Sequence, residues 1–141
     1  MKEPIWLLHA AVLALHAECL QAFGGSDGVR DPGLLESALA RPQHLFHYEQ
    51  ADLCALAAAY GHGIAKNHPF VDGNKRIGAA LFLWFLEKNG ALAGRDGERR
   101  LSDAALVALT LLIAESPPAE REVVVRIVTH LLQDRETERR R

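Results

Sequence analysis

The chain has 141 residues, of which 16 are lysine or arginine and 18 are aspartate or glutamate, so its formal net charge is −2. Hydrophobic residues make up 49% and charged residues 24%, which fits one compact soluble domain and excludes global disorder. The balance of charge argues against a surface devoted to nucleic acid or to an anionic membrane, and it leaves open a small local basic site. We predict a single domain over residues 1–134 and a charged tail over 135–141.

The first two helices have clear boundary signals. Apolar residues at spacings of three and four predict a helix from Ile5 to Phe23, which Gly24 ends. Asp31 as N-cap and Pro32 at the first helical position predict the start of a second helix. We expect this helix to be short and to end before Pro42, because proline disfavours helical backbone at the preceding residue.

The middle of the chain predicts a flap followed by two further helices. Arg41–Gln50 mixes aromatic residues and histidines without a helical period, which favours a loop that docks a target, with strand addition through its backbone as one possible mode. An alanine- and leucine-rich helix is expected over 52–66. A fourth helix is expected from Asn74 to Asn89, and its nearly unbroken apolar run places it at the centre of the fold.

In the last third of the chain we predict a turn or short hairpin over 91–101, a fifth helix that begins at Ser102 and ends before Pro117, and a sixth from about Pro118 to Gln133. Strand signals are almost absent from the sequence. The predicted fold class is therefore all-α, a bundle of about six helices around a central buried helix.

Two cysteines and the absence of a targeting pattern predict a cytoplasmic protein. Cys19 and Cys54 lie in apolar helical contexts and are interpreted as buried thiols in a reducing compartment. The N-terminus lacks a signal-peptide pattern, and no apolar run approaches the roughly 20 residues that a membrane span needs.

The segment between the third and fourth helices carries the chemistry. His68 can accept a proton near neutral pH, and Asp72 can hold a divalent cation. Gly73 and Asn74 open the fourth helix, whose first backbone N–H groups and positive dipole end attract anions. A sharp interhelical turn with solvated charges is the alternative interpretation.

Two cations follow at a position where they oppose the helix dipole. Lys75 and Arg76 lie in the first turn of the fourth helix, where positive charge costs stability unless an anion binds there. A polyphosphate with a bridging metal ion suits this arrangement of amides, cations and carboxylate.

The string His-Pro-Phe-Val-Asp-Gly-Asn-Lys-Arg, residues 68–76, resembles the central motif of the Fic/Doc family in its death-on-curing (Doc) form. Every fixed position of the pattern His-x-Phe-x-Asp/Asn-Ala/Gly-Asn-Lys-Arg is matched, and residues 24–25, 28–38 and 86–90 also look like Doc proteins. The resemblance implies an all-helical protein that uses a nucleoside triphosphate, ATP or another, with Mg²⁺ to modify a hydroxyl of a protein target. It implies His68 as general base, Phe70 as a core anchor of the loop, Asp72 as the Mg²⁺ ligand, and a phosphate site made of Gly73, Asn74, Lys75 and Arg76.

Departures from the wider family favour one reaction. Lys75 stands where nucleotide-transferring members have a second glycine, and Ala79 stands where they have a second arginine. Both features are those of Doc-type members, which resemble kinases and transfer the γ-phosphoryl group. The implied target is a threonine of elongation factor Tu, with arrest of translation. AMP transfer, or a non-catalytic module that binds nucleotide or antitoxin, remains an alternative.

Residues outside the motif carry weaker signals. Lys66 and His62 could line the site, but a surface lysine and a helix-packing histidine are the simpler interpretations. His9 and His16 share a helix face two turns apart, too far to hold one metal ion, and are interpreted as structural.

The resemblance also bears on regulation. Inhibitory helices in the family read Ser/Thr-x-x-x-Glu-Gly/Asn. Ser116 and Glu120 come closest here, but Arg121 follows. The resemblance therefore implies inhibition in trans by a Phd-like antitoxin.

Overall fold

The computed structural model describes residues 2–91, which form four α-helices joined by short connections. The helices are α1 (His9–Phe23), α2 (Pro32–Glu49), α3 (Leu53–Asn67) and α4 (Asn74–Lys88). Within residues 2–91 the only β-type pairing is an isolated bridge between Val29 and Phe70, so the all-α class is confirmed for this part of the chain. The predicted fifth and sixth helices, the turn that precedes them and the charged tail lie outside the described residues. None of the helices in the described part is long and apolar enough to cross a membrane.

The helix α1 begins later than the predicted Ile5, because the chain before it is tied to the end of α4. The Ile5 amide donates to the Asn89 Oδ1 at 2.8 Å, and the Asn89 Nδ2 donates to the Ile5 carbonyl at 3.1 Å. The backbone stays extended to Leu8. Gly24 ends α1 as predicted, and its amide donates to the Leu20 carbonyl at 2.7 Å.

The helix α2 continues through Pro42 to Glu49, so its predicted end before Pro42 and the predicted loop over Arg41–Gln50 are both wrong. A proline inside a helix costs about 3 kcal/mol. Here Pro42 is buried and belongs to an apolar stripe that packs towards α3 and continues beyond the proline. Burial of this stripe, complete for four of its members and partial for Leu45 and Phe46, offsets the cost. Its members are Leu35, Ala38, Leu39, Pro42, Leu45 and Phe46.

The helix α3, rather than α4, occupies the centre of the described part. Every residue over 56–65 is buried, and α3 packs against α2 on one side and α4 on the other. Small residues permit this: a Cβ on Gly61 would lie 3.1 Å from the Gly78 carbonyl of α4, and one on Gly78 only 2.8 Å from the Gly61 carbonyl. In the described residues α4 is buried along one stripe, with Leu83 and Trp84 half-buried. The close crossing holds the end of α3 beside the start of α4.

Candidate functional site

An open cavity of about 520 Å³ lies between the end of α1, the loop that joins α3 to α4, and the start of α4. We call residues 68–73 the motif loop. All six residues that the sequence predicts for the site line this cavity. Four more that the prediction did not include also line it: the last residue of α1, the two glycines that follow it, and one residue of the motif loop. The predicted six are His68, Asp72, Gly73, Asn74, Lys75 and Arg76; the additional four are Phe23, Gly24, Gly25 and Val71.

His68 ends α3 in an unusual backbone conformation. Its φ of 50° and ψ of 56° lie in the left-handed region, which few residues other than glycine adopt. Its amide still donates to the Ile64 carbonyl at 3.1 Å. The left-handed turn directs the chain into the motif loop, and it leaves the His68 side chain exposed at the cavity, where a hydroxyl can reach the imidazole.

Phe70 and His16 form the buried support of the motif loop. Phe70 is 1% exposed, which confirms its predicted packing into the core. The His16 ring stacks on the Phe70 ring with centroids 3.8 Å apart and planes 14° from parallel. His16 Nε2 lies 2.8 Å from the carbonyl oxygen of Asp72, so that nitrogen carries the proton and donates it. His16 is structural, as interpreted, but its support of the site comes from 56 residues away and no local pattern predicts it.

Asn74 uses its side chain inside the protein. Its Nδ2 donates to the Phe70 carbonyl and its Oδ1 accepts from the Phe70 amide, both at 3.0 Å, and the residue is only 7% exposed. These reciprocal bonds close the motif loop onto the first residue of α4. Any contribution of Asn74 to an anion site is therefore made by its backbone N–H rather than by its side chain.

Asp72 presents an ionised carboxylate to solvent. Its Oδ2 accepts from the Ser26 amide at 3.1 Å and its Oδ1 from the Gly73 amide at 2.8 Å. These two hydrogen bonds, with smaller contributions from the charges of Arg76 and His16, hold the pKa of Asp72 below its usual value. Glycine suits position 25 beside it, because the φ of 128° is one that residues with a side chain rarely adopt, and a Cβ there would also lie 2.9 Å from the Asp72 Oδ2.

The carboxylate suits a divalent cation that binds together with phosphate. Among residues 2–91 no cluster of three or more histidine, cysteine, aspartate or glutamate residues could hold a metal on its own. Mg²⁺ typically takes one or two carboxylates, several waters and substrate phosphates. Asp72 fits that role, since each of its oxygens keeps a lone pair beyond the amide bond that it accepts.

The start of α4 has the features that can attract an anion. The Ile77 amide donates to the Gly73 carbonyl at 2.9 Å, which leaves the amides of the preceding turn, among them those of Asn74 and Arg76, without an acceptor one helical turn back. No acidic side chain occupies the first turn. The Arg76 guanidinium lies 4.8 Å over the Phe23 ring, with Nη1 3.4 Å from the Phe23 carbonyl, so it is held at the rim of the cavity.

Other residues that the sequence singled out lie away from this cavity. Lys66 is exposed in the last turn of α3, and His62 is buried within α3, in agreement with the simpler interpretations. His9 is exposed on α1. Cys19 and Cys54 are not joined by a disulfide, and both are half-buried rather than fully buried.

The segment predicted as a docking flap is helical, so strand addition through its backbone is wrong. Its side chains Arg41, His44 and Tyr48 instead line a second groove of about 580 Å³ between α2 and α3. This groove extends to Asn67, the neighbour of His68 in the chain.

Comparison with known proteins is consistent with this geometry. A model of the Fic/DOC family matches residues 6–86. The chain is 34% identical over 110 residues to the protein named Protein kinase doc of Escherichia phage P1, an alignment that covers 77% of this chain and 86% of that protein. It is 46% identical over 77 residues to Toxin Doc of Mycolicibacterium smegmatis, covering 53% of this chain and 59% of that toxin.

Proposed function

The chain belongs to the Fic/Doc family, and we propose that it is a Doc-type toxin: a protein kinase that transfers the γ-phosphoryl group of ATP, or of another nucleoside triphosphate, to a protein hydroxyl. One observation carries the proposal: His68, Asp72 and the amide-rich first turn of α4 line the same cavity. A base, a metal ligand and a phosphate site at one place are the parts that phosphoryl transfer requires.

In the proposed reaction each group at the cavity has one task. The target hydroxyl oxygen bonds to the γ-phosphorus, the bond from that phosphorus to the β–γ bridging oxygen breaks, and the nucleoside diphosphate leaves. The His68 imidazole accepts the hydroxyl proton. The backbone amides at the start of α4, with Lys75 and Arg76, bind the phosphates. Mg²⁺ bound at Asp72 would neutralise charge on the phosphate oxygens.

Two residues favour γ-phosphoryl transfer over AMP transfer. Lys75 fills the place of the glycine, and Ala79 the place of the second arginine, that nucleotidyl-transferring members of the family possess. The relative in phage P1 is named a protein kinase, which agrees with this choice.

We further propose a threonine of elongation factor Tu as the target, in the cytoplasm, and inhibition by a Phd-like antitoxin. Both come from the resemblance to Doc proteins. The name Toxin Doc of one relative supports an antitoxin partner, whereas the elongation factor Tu target comes from the resemblance alone.

The test uses ATP labelled at either the α or the γ phosphate, incubated with the protein, Mg²⁺ and elongation factor Tu. Label transferred from the γ position alone supports the kinase. Label from the α position means AMP transfer, and no label from either means a binding module or a different target class. His68→Ala should abolish transfer, and the control Lys88→Ala should retain it, since Lys88 packs over Trp84 at the far end of α4.

A further inference from the structure

The backbone of His68 has to be held in place. Residues with a side chain adopt the left-handed region at an energetic cost and stay there only when the surrounding structure imposes it. In residues 2–91 only His68 and Gln50 combine a positive φ with a side chain, and His68 is the one at the cavity. The contacts that impose this conformation therefore also place the proposed base.

Arg30 makes the side-chain contacts to this turn. Its Nε donates to the His68 carbonyl at 2.7 Å, and its Nη2 donates to the Asn67 carbonyl at 2.8 Å. The planar guanidinium thus spans two successive carbonyls at the end of α3, a geometry that a single ammonium group cannot reproduce. Its positive charge also lies at the negative end of the α3 dipole.

The backbone around Arg30 is itself attached to the motif loop. The amides of Arg30 and Asp31 both donate to the Pro69 carbonyl, at 2.7 and 3.0 Å, and the Val71 amide donates to the Gly28 carbonyl at 3.0 Å. Asp31 caps α2 by accepting from the Leu34 amide. Arg30 is therefore fixed between the start of α2 and the motif loop, and its side chain folds back onto the His68 turn.

We propose that Arg30 is a positioning residue for the general base: its guanidinium keeps His68 in the left-handed conformation that presents the imidazole at the cavity. This inference rests on the proposed function. Arg30 is not among the residues that line the cavity, so the role proposed for it acts through His68 and not on the nucleotide. Its loss should therefore slow the chemical step and leave binding of the nucleotide intact.

Steady-state kinetics of the full chain test whether Arg30 affects the chemical step and not the binding of the nucleotide. Arg30→Ala should lower kcat by about ten- to a hundredfold, because small errors in placing a reacting group are costly, and leave the KM for ATP within about twofold. Arg30→Lys, which keeps the charge but cannot bridge both carbonyls, should have an intermediate kcat. Lys88→Ala is the matched control: it removes a cation from the last turn of α4 without a bond to the motif loop. An unchanged kcat in Arg30→Ala, or a raised KM alone, overturns the inference.

A second measurement does not depend on catalysis. Hydrogen–deuterium exchange of the peptide covering 66–76 should be faster in Arg30→Ala than in the wild type, while exchange in the core of α3 stays the same. Unchanged exchange in 66–76 overturns the inference even if activity falls. If the wild type transfers no phosphate to any target but Arg30→Ala still loosens 66–76, the proposed function fails and the anchoring of His68 by Arg30 is supported.

Discussion

Replacing His16 with leucine should destabilise the protein through the motif loop. The imidazole donates to the Asp72 carbonyl at 2.8 Å and stacks on Phe70 at 3.8 Å. Removing the donor from a partly buried carbonyl costs about 1–2 kcal/mol, and losing the ring contact costs about 0.5–1 kcal/mol. Leucine refills most of the volume, so we expect the free energy of unfolding to fall by about 2 kcal/mol, roughly a thirtyfold change in the ratio of folded to unfolded chains.

Two further substitutions at the same position separate these contributions. His16→Gln keeps an N–H donor but loses the aromatic stack, whereas His16→Phe keeps the stack but loses the donor. Each should therefore recover part of the stability that His16→Leu loses. His9→Leu is the matched control, because His9 lies on the same helix and is exposed.

Urea unfolding followed by circular dichroism measures the stability of each variant. A titration of phosphoryl transfer with Mg²⁺ measures the effect on the site: because His16 anchors the backbone of Asp72, His16→Leu should need severalfold more Mg²⁺ for half-maximal activity. If His16→Leu unfolds at the same urea concentration as His9→Leu and responds to Mg²⁺ as the wild type does, the support that we assign to His16 is wrong.

Three further outcomes follow from the contacts described. Gly78→Ala should lower the free energy of unfolding by about 1–3 kcal/mol, because its Cβ would lie 2.8 Å from the Gly61 carbonyl. The control Gly33→Ala should change the free energy of unfolding by less than about 0.5 kcal/mol in the same urea titration, because the nearest atom to its Cβ is an Asp31 carboxylate oxygen at 3.4 Å. His68→Gly should abolish phosphoryl transfer yet raise the free energy of unfolding by about 1 kcal/mol, since glycine relieves the strain of the left-handed backbone at this position. Equal stability of His68→Gly and His68→Ala would contradict this explanation. The lowered pKa of Asp72 means that its ionised form stabilises the fold above the usual value of 3.8 and that this contribution disappears as the pH falls through the lower native value. Asp72→Asn should therefore show a shallower loss of stability on acidification in EDTA, and an acid limb as steep as that of the wild type would refute the role of the Ser26 and Gly73 amides.

The starts of α2 and α3 were predictable because their signals are short-range, whereas α1 has no side-chain cap and was predicted to begin too early. Asp31 accepts a hydrogen bond from the Leu34 amide, and Asp52 accepts one from the Ala55 amide, so each caps a helix within three residues of itself. The error at Pro42 has the opposite origin. The local preference of proline predicts that the helix ends here, but packing against α3 stabilises a continuous helix. That stabilisation depends on residues far along the chain.

The composition of the site was predictable for a similar reason. The six predicted residues lie within nine consecutive positions, His68 to Arg76, and a loop that runs directly into a helix start cannot separate them widely. The structure adds the hydrogen bonds that hold Asp72 and His68 in place. They come from His16 of α1 and from Ser26 and Arg30 of the connection between α1 and α2. These residues are 38 to 56 positions from their partners, and no spacing pattern links them.

The sequence alone therefore determined the helical class, the boundaries set by caps and glycines, and which reactive side chains lie together over residues 68–76, because each depends on neighbours along the chain. Only the tertiary structure decided that α3 lies at the centre of residues 2–91, that α2 passes through Pro42, that Asn74 uses its side chain for the loop, and that His68 is held left-handed beside Arg30. These features are set by which backbones can approach closely and which buried polar groups find partners, and such contacts form only between segments that folding brings together.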